Sequence, residues 1–151
     1  MSRNTARVAF EPANADDAEA LVAIRIAAMR DSLERLGRFD PARARARFLD
    51  GFDPEHTRHL VVDGQRVGFV VVKPDGDGLL LDHLYVLPAM QGHGIGPAVI
   101  ADVLAHADAR HAGVRLGALR GSDANRFYVR HGFVQVDESE WDIHYARPPA
   151  R

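Results

Sequence analysis

Residues 84–97 read Leu84-Tyr85-Val86-Leu87-Pro88-Ala89-Met90-Gln91-Gly92-His93-Gly94-Ile95-Gly96-Pro97. An apolar run ends at a proline. Glycines then alternate at 92, 94 and 96, and a second apolar segment follows. Leu79–Leu87 before it reads as a strand apolar on both faces, hence central in a sheet. Pro97–Arg110 after it reads as a helix, with Val99, Ile100, Val103, Leu104 and Ala107 at helical spacing. Glycines in such a turn can point several backbone N–H groups at one place, because they accept unusual dihedrals. The helix dipole adds positive charge there, and Pro97 falls in a first turn, where its missing N–H is tolerated. The turn is suited to an anion such as a pyrophosphate. It is equally readable as a plain glycine-rich strand-to-helix connection.

Two common phosphate motifs do not fit. A P-loop requires Gly-Lys, and the chain has no such pair. A dinucleotide fingerprint requires Gly-x-Gly-x-x-Gly and an acid at the end of the next strand. Here the third glycine comes one residue early, and the strand predicted over Val114–Leu119 is followed by Arg120.

Outward from the turn, Val8–Phe10 reads as a short strand ended by Pro12. A helix capped by Asn14 or Asp16 runs to about Arg30, with acids Asp16, Asp17 and Glu19 where the dipole favours them. Asp40-Pro41 opens a second helix, Ala42–Leu49, with Arg43 and Arg47 on one face. Thr57–Val62 and Val67–Lys73 form a hairpin about Asp63-Gly64. Pro74–Gly78 reads as a turn into the central strand. Beyond it lie the strand Val114–Leu119, a short helix Ala124–His131 stopped by Gly132, and terminal strands Phe133–Val136 and Trp141–Tyr145. The expected architecture is a mixed α/β domain spanning residues 1–151. It has a strongly twisted central sheet of six to seven strands and helices on both faces.

Composition narrows the function. The chain has 151 residues, 19 basic against 21 acidic, a formal charge of -2, and no cysteine. Disulfides, thiolate metal sites and a cysteine nucleophile are excluded. Near-neutral charge gives no reason to expect nucleic acid or an anionic membrane as partner. The polar stretch Met1–Arg7 lacks a signal-peptide core, and no apolar run approaches a bilayer span of about 20 residues. A cytoplasmic protein is expected. The eight histidines suggest no metal site: His56 and His59 lack a carboxylate at helical spacing, and His106 and His111 fall off one helix face. Arg43, Arg45 and Arg47 read as a solvated helix face. Trp141 and Tyr145 read as core packing rather than an acceptor lining.

With these motifs in view, the chain resembles the GCN5-related N-acetyltransferase (GNAT) superfamily. The match is Leu84–Pro88 with Gln91-Gly92-His93-Gly94-Ile95-Gly96, then Ala124, Tyr128 and Gly132-Phe133 downstream. Element order agrees across nearly the whole chain. The resemblance implies acetyl-CoA as cosubstrate, no metal, and direct transfer to an amine acceptor. It implies that N–H groups of Gln91 to Gly96 hold the pyrophosphate. It implies that Leu84, Tyr85 and Val86 pair with the pantetheine arm, which enters beside Val114–Leu119. The N–H of Leu84 would polarise the thioester carbonyl. Tyr128 corresponds to the general acid; it also reads as a core tyrosine beside Phe127. Asp82, on the strand face of Leu84, corresponds to a position that often holds the base, and burial there would raise its pKa; it also reads as a structural acid. His83 points to the other face. The family often places an asparagine where Gly121 stands, and Asn125, one turn later, is the candidate substitute. Arg25–Phe52 would set acceptor choice. A catalytically silent CoA-binding or interaction module on the same fold is the alternative, and free edges on the last hairpin allow a homodimer.

Overall fold

The computed structural model describes residues 7–150; the rest of the polar stretch Met1–Arg7 lies outside the described residues. The strands are β1 (Ala9–Pro12), β2 (Thr57–Val62), β3 (Gln65–Asp75), β4 (Gly78–Val86), β5 (Val114–Leu119), β6 (Val134–Glu138) and β7 (Asp142–Arg147). The helices are α1 (Ala18–Arg35), α2 (Pro41–Asp50), α3 (Ile95–Ala109) and α4 (Ala124–Arg130). The seven strands follow the order β1-β2-β3-β4-β5-β7-β6, so β4 is the middle strand. The sheet is mixed: β4 and β5 are parallel, while β1–β2, β2–β3, β5–β7 and β6–β7 are antiparallel. Among the described residues no helix is long and apolar enough to cross a membrane.

The chain divides into two compact units, Met1–Val71 with His83–Ala98, and Val72–Asp82 with Val99–Arg151. β3 and β4 contribute to both. In the first unit, β2 and β3 meet through Asp63 (φ 51°) and Gly64 (φ 76°), the paired positive φ values of a tight hairpin turn. Leu21, Val22, Phe48, Phe69 and Val71 form its core, with Phe52 and Tyr85 packed against it. Gly68 has no room for a side chain. A Cβ there would lie 2.2 Å from the Tyr85 carbonyl oxygen, so β3 approaches the end of β4 only through glycine. Arg25 donates to the Ala44 carbonyl and Arg45 pairs with Glu19, tying α1 to α2.

α1 runs one turn past the expected end at Arg30, because Asp31–Arg35 contain no breaker. Its stop is Gly37 (φ 68°). The Arg38 N–H donates to the Leu33 carbonyl (2.8 Å) and the Gly37 N–H to that of Glu34 (3.0 Å). These are the two bonds of a Schellman cap. Asp40 caps α2 as expected, whereas Asn14 caps a 3-10 turn, Ala15–Asp17, that leads into α1. Asn14 Oδ1 accepts from the Asp16 N–H, and Asp40 Oδ1 accepts from the Arg43 N–H.

In the second unit, Val99, Ile100, Val103 and Ala107 of α3 and Val114, Leu116 and Ala118 of β5 are buried. β4 pairs with β5 over Leu79–Leu81 opposite Val114–Leu116, and β5 pairs along its length with β7. The turn expected over Pro74–Gly78 is shorter, since β3 continues through Pro74 to Asp75. Trp141 is not core: it precedes β7 and is 47% exposed, whereas Tyr145 is buried as expected.

Candidate active site

α3 begins at Ile95, two residues before the expected start at Pro97. The Ala98 N–H donates to the Gly94 carbonyl (3.2 Å), so Gly94 is the cap and Pro97 the third helical residue. A helix leaves its first N–H groups without internal acceptors. Pro97 has none to leave. Gly92 (φ 81°) and Gly94 (φ 78°) adopt the left-handed region that side chains disfavour. Among the described residues, no backbone carbonyl accepts from the N–H groups of Gly92, His93, Gly94, Ile95 or Gly96. Five consecutive donors thus stand open at a helix N-terminus.

Gln91 contributes differently from the expectation. Its own N–H is committed to the Pro88 carbonyl (3.2 Å), and its side-chain amide donates to the Val86 carbonyl (3.0 Å). Gln91 therefore ties the loop to the end of β4. His93 Nδ1 lies 3.1 Å from the carbonyls of Met90 and of Gln91, a second tie.

The middle strand of a seven-stranded sheet should be buried, and Leu79 and Leu81 are. Asp82, His83, Leu84, Tyr85 and Val86 are all only half-buried. Successive side chains alternate in facing. His83 and Tyr85 pack on the ring cluster of the first unit, His83 at 5.4 Å from Phe48 and Tyr85 at 5.5 Å from Phe69. Asp82, Leu84 and Val86 belong to the opposite face. Contrary to expectation, Asp82 is not buried. It is about one-third exposed and pairs with Lys73, whose Nζ lies 3.1 Å from Oδ2.

In the second unit, α4 carries Tyr128, which is buried. The spacing of Tyr128, Gly132 and Phe133 has a physical explanation. The Phe133 N–H donates to the Tyr128 carbonyl (3.1 Å), and the Gly132 N–H to that of Val129 (3.2 Å), with Gly132 at φ 90°. This is another Schellman cap, in which the residue after the glycine packs on the residue five before it. The Phe133 ring lies 5.7 Å from that of Tyr128, edge-on, a favourable aromatic contact.

Asn125 sits at the start of α4. Its Nδ2 donates to the carbonyls of Leu119 and Ser122, both at 2.9 Å, and its Oδ1 accepts from the Tyr145 hydroxyl (2.8 Å). Its amide is used in bracing the β5–α4 loop. Gly121 in that loop has φ 84°. Glycine accepts this conformation without the strain that a side chain brings.

Contrary to expectation, His56 has a carboxylate partner at a three-residue spacing, and His59 has one that no sequence spacing reveals. His56 Nδ1 lies 2.7 Å from Asp53 Oδ2, and with Glu55 these groups come within 4.8 Å of one another. The turn Pro54–His56 is 3-10, so a three-residue spacing brings Asp53 round to His56. His59 is buried, and its Nε2 lies 2.9 Å from Asp17 Oδ2, a partner 42 residues away. The bond from His59, then one from the Asn14 backbone, holds the Asp17 carboxyl below the ordinary aspartate range.

Comparisons with known proteins bear on the family and the fold. Residues 55–135, more than half of the chain, match the model of the acetyltransferase (GNAT) domain. No curated protein matches the sequence. Among solved structures, the chain is similar to the PaiA N-acetyltransferase of Thermoplasma acidophilum in complex with coenzyme A. The TM-score is 0.77 at 15% identity, over 94% of this chain and 99% of that one. It is similar also to an acetyltransferase of Thermus thermophilus, with a TM-score of 0.73 at 18% identity over 96% and 99% of the two chains. A GCN5-related N-acetyltransferase of Rhodopseudomonas palustris gives a TM-score of 0.70 at 23% identity, over 98% of each. At these identities the structures speak to the fold, and the match over residues 55–135 to the family: this chain belongs to the GNAT acetyltransferases.

Proposed function

We propose that the chain is an acetyl-CoA-dependent N-acetyltransferase. It transfers an acetyl group directly to the primary amine of a small acceptor, and residues 1–151 serve as one acyltransferase domain. The observation that carries the reading is the row of open N–H donors from Gly92 to Gly96 at the start of α3. Such a row complements a doubly charged pyrophosphate. Gln91 contributes by fixing the loop.

The thioester of acetyl-CoA supplies the activated acyl group; the protein supplies polarisation and proton transfer. The Leu84 N–H is assigned to the thioester carbonyl, where it would stabilise the developing oxyanion. Leu84–Val86 would run beside the pantetheine arm as strand to strand. Their partial exposure in a central strand supports this role. Tyr128 is assigned as the acid that protonates the leaving thiolate. Its ring packs edge-on against Phe133, which restrains its position. Asp82 is assigned as the base that takes the proton of the acceptor ammonium. Asn125 is assigned to hold the Leu119–Ser122 loop in place for the cofactor. The reading keeps the cytoplasmic location expected from composition.

The direct test is thiol release from acetyl-CoA across a panel of primary amines, with wild type, Tyr128→Phe and Asp82→Asn. Acetylation by wild type and its loss in both variants, each still stabilised by CoA, is expected. Unchanged turnover in Tyr128→Phe would remove the acid assignment. An unmoved pH–rate profile in Asp82→Asn would remove the base.

A further inference from the structure

Lys73 is the one lysine in this chain; every other member of its 19 Lys and Arg residues is arginine. Arginine-to-carboxylate pairs include Arg45–Glu19, Arg66–Glu11, Arg115–Asp75 and Arg147–Asp108. At Asp82 the partner is instead the lysine. The difference is chemical. Arginine cannot give up its proton in a protein and is a poor nucleophile, whereas a lysine ammonium can be deprotonated to a nucleophilic amine. For an ion pair alone, arginine would serve at least as well.

The geometry at Asp82 is that of an amine substrate at its base. Lys73 Nζ lies 3.1 Å from Oδ2, within the reach that a general base needs. The two side chains are 26% and 32% exposed, so the amine is neither sealed in the core nor fully solvated. Both residues lie in the same compact unit. Leu84, the backbone group assigned to the thioester, is two residues further along β4.

We infer that Lys73 is a self-acylation site, at which the chain transfers an acyl group from acyl-CoA to its own ε-amine. The inference rests on the acyltransferase reading and on the assignment of Asp82 as base. Asp82 takes one proton from the Lys73 ammonium. The freed amine attacks the thioester carbonyl carbon. A C–N bond forms, the C–S bond breaks, and the bonding pair leaves on sulfur. Of the two protons lost from nitrogen, one ends on the CoA thiol and one passes to solvent. The products are Nε-acetyl-Lys73, CoA and a proton. The amide carries no charge, so acylation also removes the cation facing Asp82. Modification of Lys73 therefore changes the electrostatics of the proposed base.

The test uses the full chain with acetyl-CoA carrying a deuterated acetyl group, followed by intact-mass measurement and peptide mapping. One label per chain, located on Lys73, is expected in folded wild type. It should be absent from Lys73→Arg, which keeps the positive charge. It should form at least about 10-fold more slowly in Asp82→Asn and in heat-unfolded chain. Labelling of Lys73 at equal rates in wild type, Asp82→Asn and unfolded chain would be uncatalysed chemistry and would overturn the inference. An unlabelled Lys73 in protein whose unfolding temperature rises with acetyl-CoA would overturn self-acylation alone. If no CoA species stabilises the folded chain, the acyltransferase reading fails, and self-acylation fails with it.

Discussion

Gly94 caps α3 at φ 78°, a conformation that costs a side-chain-bearing residue about 1–2 kcal/mol. Gly94→Ala should therefore weaken CoA binding by about 10-fold while the rest of the chain stays folded, as titration calorimetry would show. Equal affinity would mean that the loop's conformation is not what holds the ligand. Tyr128→Phe removes one hydroxyl from a ring that packs edge-on against Phe133. It should lower kcat by about 100-fold with little change in CoA affinity, the usual scale for a lost general acid. The residues behind these predictions differ in how they could be read. Gln91, Gly92, Gly94 and Tyr128 stand at spacings the family motif makes visible. The Lys73–Asp82 pair does not, because nothing in the spacing of 73 and 82 shows which side chains meet across neighbouring strands. Gly121, where the sequence departs from the family motif, has φ 84°, a conformation that favours glycine.

At the scale of elements, the sequence was most readable where a local rule acts. The hairpin at Asp63-Gly64, the caps Asn14 and Asp40, and β5 lie where turn and cap chemistry put them. Boundaries moved where a later signal outweighed an earlier one: α1 runs on to the Schellman glycine Gly37, and α3 starts at Ile95 because Gly94 caps it. Contacts set by tertiary packing were not readable. Gly68 is one. Gly68→Ala would drive a Cβ onto the Tyr85 carbonyl, 2.2 Å away, and should cost about 1–3 kcal/mol. Thermal unfolding should show a midpoint several degrees lower; an unchanged midpoint would mean that β3 can shift away from β4 freely. The joining of Asp17 to His59 and Arg66 is another. The carboxyl of Asp17 titrates below its unfolded value, so its contribution to stability is present above that value. It should be lost as pH falls below about 4. Asp17→Asn should lack this component. Unfolding midpoints of the two proteins should converge as pH falls below about 4, and parallel curves would contradict the assignment.

For the molecule as a whole, the absence of cysteine and the near-neutral charge excluded classes of function without naming one. The family was named by two motifs in order, and the match over residues 55–135 bears it out. Composition and motifs left the acceptor open, since no part of Arg25–Phe52 reads as a known recognition sequence. That segment carries α2 and Phe48, whose ring packs on His83 of β4. α2, one of the helices expected to govern acceptor choice, thus packs on the strand assigned to the thioester. The central claim is that the open N–H row before α3 binds the pyrophosphate of acetyl-CoA. Its most direct test is thermal unfolding with acetyl-CoA, CoA, NAD and ATP added separately. At about 100 times its dissociation constant a ligand adds about 2.7 kcal/mol, which should raise the midpoint by about 5–10 °C in a chain of this size. The account predicts that rise with acetyl-CoA and CoA, none of comparable size with NAD, and a rise about half as large in Gly94→Ala at the same ligand concentration. No rise with any CoA species, in protein shown to be folded, would contradict it.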